Sequence, residues 1–161
     1  MTIRPAMVEE LRNALDDRQA LEAVIGPVPD GWPETSDMFT YVIERLAEHP
    51  EEVDWRVYFF FDGDGVLVGS GGFQGPPDKD RAVEIGYEIA PSFQQRGLGT
   101  AAVSALVEQV RRSGAVGTVI ARTATELNPS VRILKHLGFS NTGLAKAPDS
   151  DDDVWQWQLD V

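Results

Sequence analysis

The stretch PSFQQRGLGTAAVSALVEQVRRSG, residues 91–114, follows a segment of alternating apolar and polar residues and turns helical halfway along. Its second half places apolar residues at helical spacing, at Val103, Leu106, Val107 and Val110. Arg111 and Arg112 suit the negative end of a helix, and Gly114 is a typical residue just past it. The preceding alternation predicts a strand, and residues 91–114 then predict a glycine-containing loop followed by a helix.

The start of this helix has two interpretations. In the first, Ser92 caps the helix and Gln95 completes a capping box, which puts Gly97 and Gly99 inside the first turns. Each glycine there costs about 1 kcal/mol relative to alanine, with no compensating gain. In the second, the helix begins near Gly97, and its free N–H groups, together with Arg96, attract an anion. We favour the second interpretation.

The loop does not match the two commonest phosphate-binding motifs. A P-loop is excluded because no Gly-Lys-Ser/Thr sequence follows the glycines. A dinucleotide fingerprint fits poorly because Ala102 stands where the third glycine is expected. The sequence rules thus predict an anion site without naming the anion.

The composition limits the classes of partner. The chain has 161 residues, 14 Lys and Arg against 26 Asp and Glu, and a formal net charge of −12. This charge repels nucleic-acid phosphates and favours cationic or neutral partners. There is no long apolar run, no secretory signal pattern and no cysteine. We expect one domain, a cytoplasmic location, and no nucleic-acid or membrane partner.

The sequence pattern predicts two helices first, and then strands interrupted by two further helices. The predicted helices cover residues 4–25 and 36–48, then the helix of the opening stretch, and finally 129–137. The predicted strands cover residues 55–61, 66–73, 82–90, 116–123, 139–144 and 154–159. This order predicts an α+β domain around a mixed, largely antiparallel sheet, with a helical region at residues 1–54 and the sheet at residues 55–161.

The loop also supports a resemblance to a known family. Residues 94–99, QQRGLG, match the Q/R-x-x-G-x-G/A motif of the GNAT superfamily of acyl-CoA-dependent N-acetyltransferases. The segment ARTATELNPSVRILKHLGF, residues 121–139, resembles the RimJ/RimL-like branch of that superfamily. The resemblance is specific over residues 57–139. It implies a single GNAT-type domain over residues 1–161, in which residues 1–54 form the wall on the acceptor side.

The resemblance implies acetyl-CoA as the acyl donor and assigns residues to it. In the family, backbone amides of the glycine loop hold the pyrophosphate, and the pantetheine arm lies where the fourth and fifth strands separate. The implied cofactor residues are Ile89, Ala90, Gln95, Arg96, Gly97, Leu98, Gly99, Thr100, Asn128 and Arg132. From sequence rules alone, Asn128 is better explained as a helix cap, and Arg132 equally as a solvent-facing cation. No metal is expected, because neither histidine has a second histidine or a cysteine at metal-ligand spacing.

The resemblance also implies a base that deprotonates the amine and an acid near the thioester sulfur. Glu84 is the favoured base and Glu88, on the same strand face, is the second choice; Glu84 alternatively pairs with Arg81 or another cation. Leu134 stands where many members have an acidic tyrosine, a departure that leaves Ser130 as the leading acid. Ser130 is otherwise only a tolerated residue in the first turn of its helix.

The remaining aromatic residues receive mainly structural interpretations. Tyr87 is expected in the core, and Trp32 is a candidate for lining the acceptor pocket with Glu88. Trp155 and Trp157 share one strand face, which favours edge-strand packing or a homodimer contact. The acceptor is expected to be a small-molecule or peptide amine. The alternative function is a catalytically inactive CoA-binding sensor or partner module.

Overall fold

The computed structural model describes residues 1–161, which fold around one seven-stranded sheet. The strands are β1 (Thr2–Pro5), β2 (Val57–Phe61), β3 (Leu67–Phe73), β4 (Ala82–Ile89), β5 (Thr118–Ala124), β6 (Ser140–Lys146) and β7 (Asp153–Asp160). The helices are α1 (Val8–Asp16), α2 (Arg18–Ile25), α3 (Asp37–Glu48), α4 (Leu98–Ser113) and α5 (Pro129–His136). No helix combines the length and the apolar character that a membrane span requires.

The order of the strands across the sheet is β1-β2-β3-β4-β5-β7-β6. Only β4 and β5 run parallel, and every other neighbouring pair is antiparallel. The α4 crossover joins this parallel pair, since parallel strands cannot be linked by a tight turn. The prediction of an α+β fold with a mixed, largely antiparallel sheet is confirmed.

The single helix predicted over residues 4–25 is wrong. The first residues form the edge strand β1, where Pro5 is tolerated because an edge strand has an unpaired side. The helix that follows is broken at Asp17, whose extended backbone ends α1 and whose side chain accepts a hydrogen bond from the N–H of Ala20. Asp17 therefore caps α2. The region before residue 54 consequently supplies a strand to the sheet as well as helices.

Alternating side chains divide the core into two layers. On one face of the sheet, Phe59 and Leu67 pack with residues of α1, α2 and α3. On the other face, Val83 and Ile85 pack with residues of α4 and α5, and Tyr87 lies against the same cluster. The predicted alternation along β4 is therefore confirmed. It leaves Glu84, Gly86 and Glu88 on the face of the N-terminal helices.

The tryptophan-bearing strand is not an edge strand. β7 pairs with β5 on one side and β6 on the other, so both of its edges are used. Trp157 is buried and donates its indole N–H to the hydroxyl of Thr123, at 2.9 Å. Trp155 donates to the carbonyl of Thr125. The expectation of edge-strand packing is therefore wrong, because these side chains serve the fold of a single chain.

A buried ion pair stabilises the junction between α3 and β2. Glu52 lies in a short 3-10 turn (Pro50–Trp55), and its carboxylate accepts hydrogen bonds from the guanidinium groups of Arg45 and Arg56. The side chains of Arg56 and Glu52 are only 5% and 9% exposed. Hydrogen bonds from Arg45 and then Arg56 lower the pKa of Glu52 to about 2, against the opposing effect of burial.

Replacing Glu52 by glutamine should lower the free energy of unfolding at neutral pH by about 3–5 kcal/mol, because Arg56 stays buried without its counter-charge. The pKa of Glu52 is lowered from 4.5 to about 2. Its contribution to stability is thus present above pH 4.5 and lost as the pH falls toward 2. Urea unfolding of both proteins should show a difference that is constant near neutrality and shrinks over this acidic range.

Glu51→Gln is the matched control, since Glu51 is exposed and its one ion pair is with the ring of His49, not with either arginine. Its effect should stay within about 0.5 kcal/mol. Equal losses in the two variants would contradict the role given to the buried pair.

Candidate active site

The helix α4 begins without a capping side chain. Its N-cap is Gly97, whose φ of +75° suits glycine, and the first turn carries no acidic residue. Ser92 lies in a separate 3-10 turn (Pro91–Phe93), so it does not cap α4. Gln95 also has a positive φ, of +62°, which is uncommon outside glycine. The helix thus starts at Leu98 with its first amides unclaimed by side chains, as the anion-binding interpretation predicts.

Gly97 and Gly99 are required for different structural reasons. A Cβ added at Gly97 would meet nothing within 4 Å, so only its backbone conformation requires glycine. A Cβ added at Gly99 would lie 2.8 Å from the Cδ1 atom of Ile133 on α5. Gly99 therefore lets the start of α4 approach α5 closely. The sequence analysis missed this packing role, because it depends on a helix that lies more than thirty residues further on.

The strands β4 and β5 separate beyond their first half. They pair from Ala82 with Thr118 to Ile85 with Ala121, and no further. Beyond that point β4 continues beside β3 and β5 continues beside β7. The structure thus has the gap between the fourth and fifth strands that the resemblance implies.

The backbone of β4 leaves hydrogen-bonding groups in this gap. The carbonyl of Glu84 accepts from Gln74 on the β3 side, and Ala90 donates to Val68 on the same side. Because backbone groups of successive residues in a strand point to opposite sides, those of Tyr87 and Ile89 face the gap. The carbonyl of Ile89 accepts from the side-chain amide of Gln94. Ala90, by contrast, uses both backbone groups within the protein, since its N–H donates to Val68 and its carbonyl accepts from Phe93.

The residues predicted to contact the cofactor divide into occupied and free groups. The side-chain oxygen of Asn128 accepts from the N–H of Val131 at 3.1 Å, so Asn128 caps α5 as sequence rules suggest. Arg132 is exposed, and its guanidinium forms no hydrogen bond or ion pair with the protein. The guanidinium of Arg96 lies over the ring of Phe93, at 5.2 Å, and has no acidic partner. Two uncompensated cations thus lie on the loop and on α5.

A groove of ≈ 250 Å³ opens on the other face of the sheet, beside α3. Its lining includes Glu34, Met38, Phe39, Arg56, Ser70, Gly71, Gly72, Gln74, Gly86, Tyr87 and Glu88. The glycines form its floor. A Cβ at Gly72 would lie 1.8 Å from a backbone oxygen, whereas one at Gly86 would meet only the side-chain nitrogen of Gln74, at 3.8 Å. The absence of a side chain at Gly86 therefore keeps the groove open.

Glu88 is one of two acidic residues that line this groove, and Glu34 is the other. One carboxylate oxygen accepts from the backbone N–H of Glu34 at 3.0 Å, and the other is 3.5 Å from the hydroxyl of Ser70. Burial raises the pKa of Glu88, and the charge of Glu34 adds to the rise, while the hydrogen bonds from Glu34 and Ser70 oppose it. A carboxylate with a raised pKa is suited to accept a proton near neutrality.

Trp32 lies behind the groove rather than in its lining. It is buried, and its ring packs edge-on against Phe39 and Phe59. Its indole N–H donates to the hydroxyl oxygen of Ser70 at 2.9 Å, which directs that hydroxyl toward Glu88. The sequence analysis singled out Trp32 and Glu88 but missed Ser70. The signal was available, because Ser70 lies opposite Glu88 in the antiparallel register of β3 and β4.

Glu84 lies on the same face of β4 as Glu88, in the part of the strand that pairs with β5, and its carboxylate already has a cationic partner. Its carboxylate forms a short ion pair with the guanidinium of Arg122 on β5. The pair spans the two strands at the base of the gap. This is the alternative that the sequence analysis left open, with Arg122 as the cation instead of Arg81. Arg81 instead donates to the carbonyls of Gly114 and Ala115.

The hydroxyl groups near the gap come from β4 and α5. The hydroxyl oxygen of Tyr87 is buried and has no hydrogen-bond partner. Burial raises the pKa of Tyr87, and the nearby hydroxyl of Ser130 opposes the rise. Leu134, one helical turn after Ser130, is fully buried in the core. The structure thus brings the predicted residue Ser130 next to a tyrosine that the sequence analysis placed in the core.

Comparisons with known proteins identify the family and the fold. Residues 1–140 match the family model for the acetyltransferase (GNAT) domain. No curated protein matches the chain significantly. A chimera of the Vibrio cholerae spermidine N-acetyltransferase SpeG with hSSAT is 17% identical, covering 99% of this chain and 96% of its own, with a TM-score of 0.70.

Two further solved structures have the same fold. RimJ from Mycobacterium smegmatis, in complex with CoA-disulfide, is 19% identical over 98% of this chain and 80% of its own, with a TM-score of 0.69. The ribosomal-protein-S5-alanine acetyltransferase of Vibrio fischeri is 16% identical over 98% of this chain and 91% of its own, with a TM-score of 0.70. The match to the family model over residues 1–140 shows that the chain belongs to the GNAT family of acyl-CoA-dependent N-acetyltransferases.

Proposed function

We propose that the protein transfers the acetyl group of acetyl-CoA to a primary amine that enters the groove beside α3, with Glu88 as the proton acceptor. The observation that carries the proposal is the position of Glu88. It is a half-buried carboxylate with a raised pKa, on the strand that borders both the groove and the gap between β4 and β5. A donor entering through the gap and an acceptor in the groove would therefore meet at β4.

The donor side suits a long anionic cofactor. The uncapped start of α4 offers backbone N–H groups and the positive end of the helix dipole to a pyrophosphate. Arg96 and Arg132 add charges that no acidic residue neutralises. Past this point, β4 has no strand partner beside Tyr87 and Ile89, which suits an extended amide-containing arm that would bind β4 as an added strand does. Bound acetyl-CoA would supply the acetyl group as an activated thioester.

Glu88 is preferred over Glu84 as the base. The carboxylate of Glu84 is held by Arg122, and removing a proton from an amine would require that ion pair to be disturbed. Glu88 has no cationic partner and lines the groove. A cationic acceptor first loses one proton to solvent, because only the neutral amine has a lone pair for attack. In the proposed reaction Glu88 then takes the second proton as the nitrogen attacks the carbonyl carbon. The Glu84–Arg122 pair instead fixes the two strands at the base of the gap.

The acceptor is proposed to be a cationic amine. Glu34 and Glu88 both line the groove, and the formal net charge of −12 favours positively charged partners. As their names state, two of the structurally similar proteins act on spermidine and on the alanine of a ribosomal protein. A polyamine and the N-terminus of a peptide are therefore the two classes to test first, and either would place its amine beside Glu88.

The donor site can be tested with Thr100→Glu, in the first turn of α4. A carboxylate there favours the helix by about 0.3–1 kcal/mol, because it complements the dipole. The same charge repels a pyrophosphate and should weaken acetyl-CoA binding at least about tenfold. Calorimetric titration should show this loss together with an unchanged or higher Tm, while Thr100→Gln binds like the unmodified protein. Wild-type protein that binds no acetyl-CoA would instead favour a GNAT fold without transferase activity.

The groove can be tested with Gly86→Val. The new side chain has space, since a Cβ meets only Gln74, and it would occupy the floor where the acceptor is proposed to lie. The KM for spermidine or for a peptide with a free N-terminal alanine should rise about tenfold or more. The Kd of acetyl-CoA should not change, and Gly86→Ala should give an intermediate effect. An unaltered KM in a folded Gly86→Val variant would exclude this groove as the acceptor site.

The base can be tested through the pH dependence of kcat. Because the pKa of Glu88 is raised above 4.5, the acidic limb of kcat should lie above this value, and activity should rise as Glu88 ionises. Glu88→Gln should lower kcat about 100-fold or more and remove that limb. Glu84→Gln is the comparison, and a larger loss there would reverse the assignment.

The stability of Glu88→Gln provides an independent check. A raised pKa in the folded state means that stability present below the ordinary pKa is lost as the pH rises through the raised value. The uncharged variant avoids this loss. Its Tm at neutral pH should therefore equal or exceed that of the unmodified protein, and a lower Tm would indicate a structural role for the carboxylate.

A further inference from the structure

The hydroxyl of Tyr87 is a buried polar group without a partner. Its oxygen is inaccessible to solvent and makes no hydrogen bond. Buried hydroxyl groups in folded proteins are nearly always paired, and an exception calls for a ligand or a functional role. Packing explains the ring, which lies against the core cluster beneath α4 and α5. It does not explain the hydroxyl, because phenylalanine would pack there without leaving an unsatisfied group.

The position of this hydroxyl places it at the gap. Tyr87 is two residues past Ile85, the last residue of β4 that pairs with β5. Its near neighbour is Ser130, in the first turn of α5. The hydroxyl is thus bounded by the free part of β4 on one side and by α5 on the other. Tyr87 also borders the acceptor groove, so the residue lies between the proposed sites of donor and acceptor.

The proposed reaction needs a hydrogen-bond donor at this place. When the amine nitrogen attacks the thioester, the carbon–sulfur bond breaks and the sulfur leaves as a thiolate unless a proton reaches it. Leu134 cannot donate, and the aliphatic hydroxyl of Ser130 is a far weaker acid than a phenol. The pKa of a phenol, about 10, lies much closer to that of a thiol, about 8.5 for cysteine.

We propose that Tyr87 is a catalytic residue that donates its hydroxyl proton to the departing sulfur of CoA. The inference rests on the function proposed above. As the C–S bond breaks, the phenolic O–H bond breaks and the S–H bond forms, which gives the free thiol. The tyrosinate then takes a proton from solvent, and Glu88 releases to solvent the proton that it took from the amine. The sum is amine plus acetyl-CoA giving amide plus CoA.

The surroundings of Tyr87 keep its hydroxyl in the protonated form that a proton donor requires. Burial raises the pKa of Tyr87 above its usual 10, so the hydroxyl stays protonated throughout the neutral range. The hydroxyl gives up its proton only when negative charge develops on the leaving sulfur. The unpaired hydroxyl costs stability in the free protein, and binding of a sulfur atom at the gap would supply the missing partner.

The contact with sulfur is tested without an acceptor, by binding CoA and desulfo-CoA to the full chain and to Tyr87→Phe. The unmodified protein should bind CoA more tightly than desulfo-CoA at alkaline pH, where the thiolate forms, and Tyr87→Phe should lose most of this preference. The affinity for desulfo-CoA should be the same in both proteins. An identical CoA preference in the two proteins would overturn the proposal.

The chemistry is tested by the kcat for acetylation of spermidine or of the alanine peptide, whichever the unmodified protein uses better. Tyr87→Phe should lower kcat about 10-fold to 100-fold with little change in KM for acetyl-CoA. A kcat within about twofold of the unmodified value would overturn the proposal while leaving the proposed function intact. If unmodified protein binds no CoA, the proposed function itself has failed. If it binds CoA but acetylates neither amine, the desulfo-CoA comparison decides alone.

Tyr58→Phe is the matched control. Tyr58 is also a buried tyrosine on the same face of the sheet, but its hydroxyl donates to the carbonyl of Asp54, away from the gap. This variant should have a lower Tm and an unchanged kcat. Tyr87→Phe should show the reverse, since it removes an unsatisfied group and a reacting one. A lower Tm in Tyr87→Phe with kcat reduced only in proportion to the folded fraction would assign the hydroxyl a structural role.

Discussion

The separation of β4 from β5 is the constraint on which the rest of the structure depends. Each of these strands keeps its antiparallel neighbour to the end, β4 with β3 and β5 with β7, while the parallel pairing between them stops at Ile85 and Ala121. Parallel pairing is slightly the weaker kind, so the sheet opens there at least cost. The opening leaves backbone groups of β4 free and brings the starts of α4 and α5 to its border, where Gly99 allows them to touch.

The two faces of the sheet differ in chemistry because successive side chains of β4 point to opposite faces. Tyr87 and Ile89 point to the layer of α4 and α5, where the glycine loop and two free cations favour an anionic cofactor. Glu88, two positions from Gly86, points to the layer of the N-terminal helices, where a glycine floor keeps a groove open. A strand of eight residues thus borders both sites. The proposed reaction takes place at this strand, because no other strand borders both the gap and the groove.

Much of the fold could be predicted from local sequence, and the errors have physical causes. The uncapped start of α4, the Asn128 cap of α5 and the alternation of β4 each depend on residues within a few positions of one another. The break at Asp17 was missed because a capping aspartate resembles an ordinary polar position in a helical pattern. The sequence of β7 does not show that it lies between β5 and β6, because the order of strands in a sheet depends on residues that are distant along the chain.

The sequence by itself determined the uncapped start of α4, because the QQRGLG loop and the first turn of the helix are built from contiguous residues whose backbone conformation and dipole are local properties. Only the tertiary structure decided between the acidic residues. Glu84 and Glu88 are alike in the sequence, but Arg122 arrives beside one of them, and the segment with Trp32 and Glu34 arrives beside the other. The ionisation of a carboxylate depends on its burial and on nearby charges, and these partners come from distant parts of the chain.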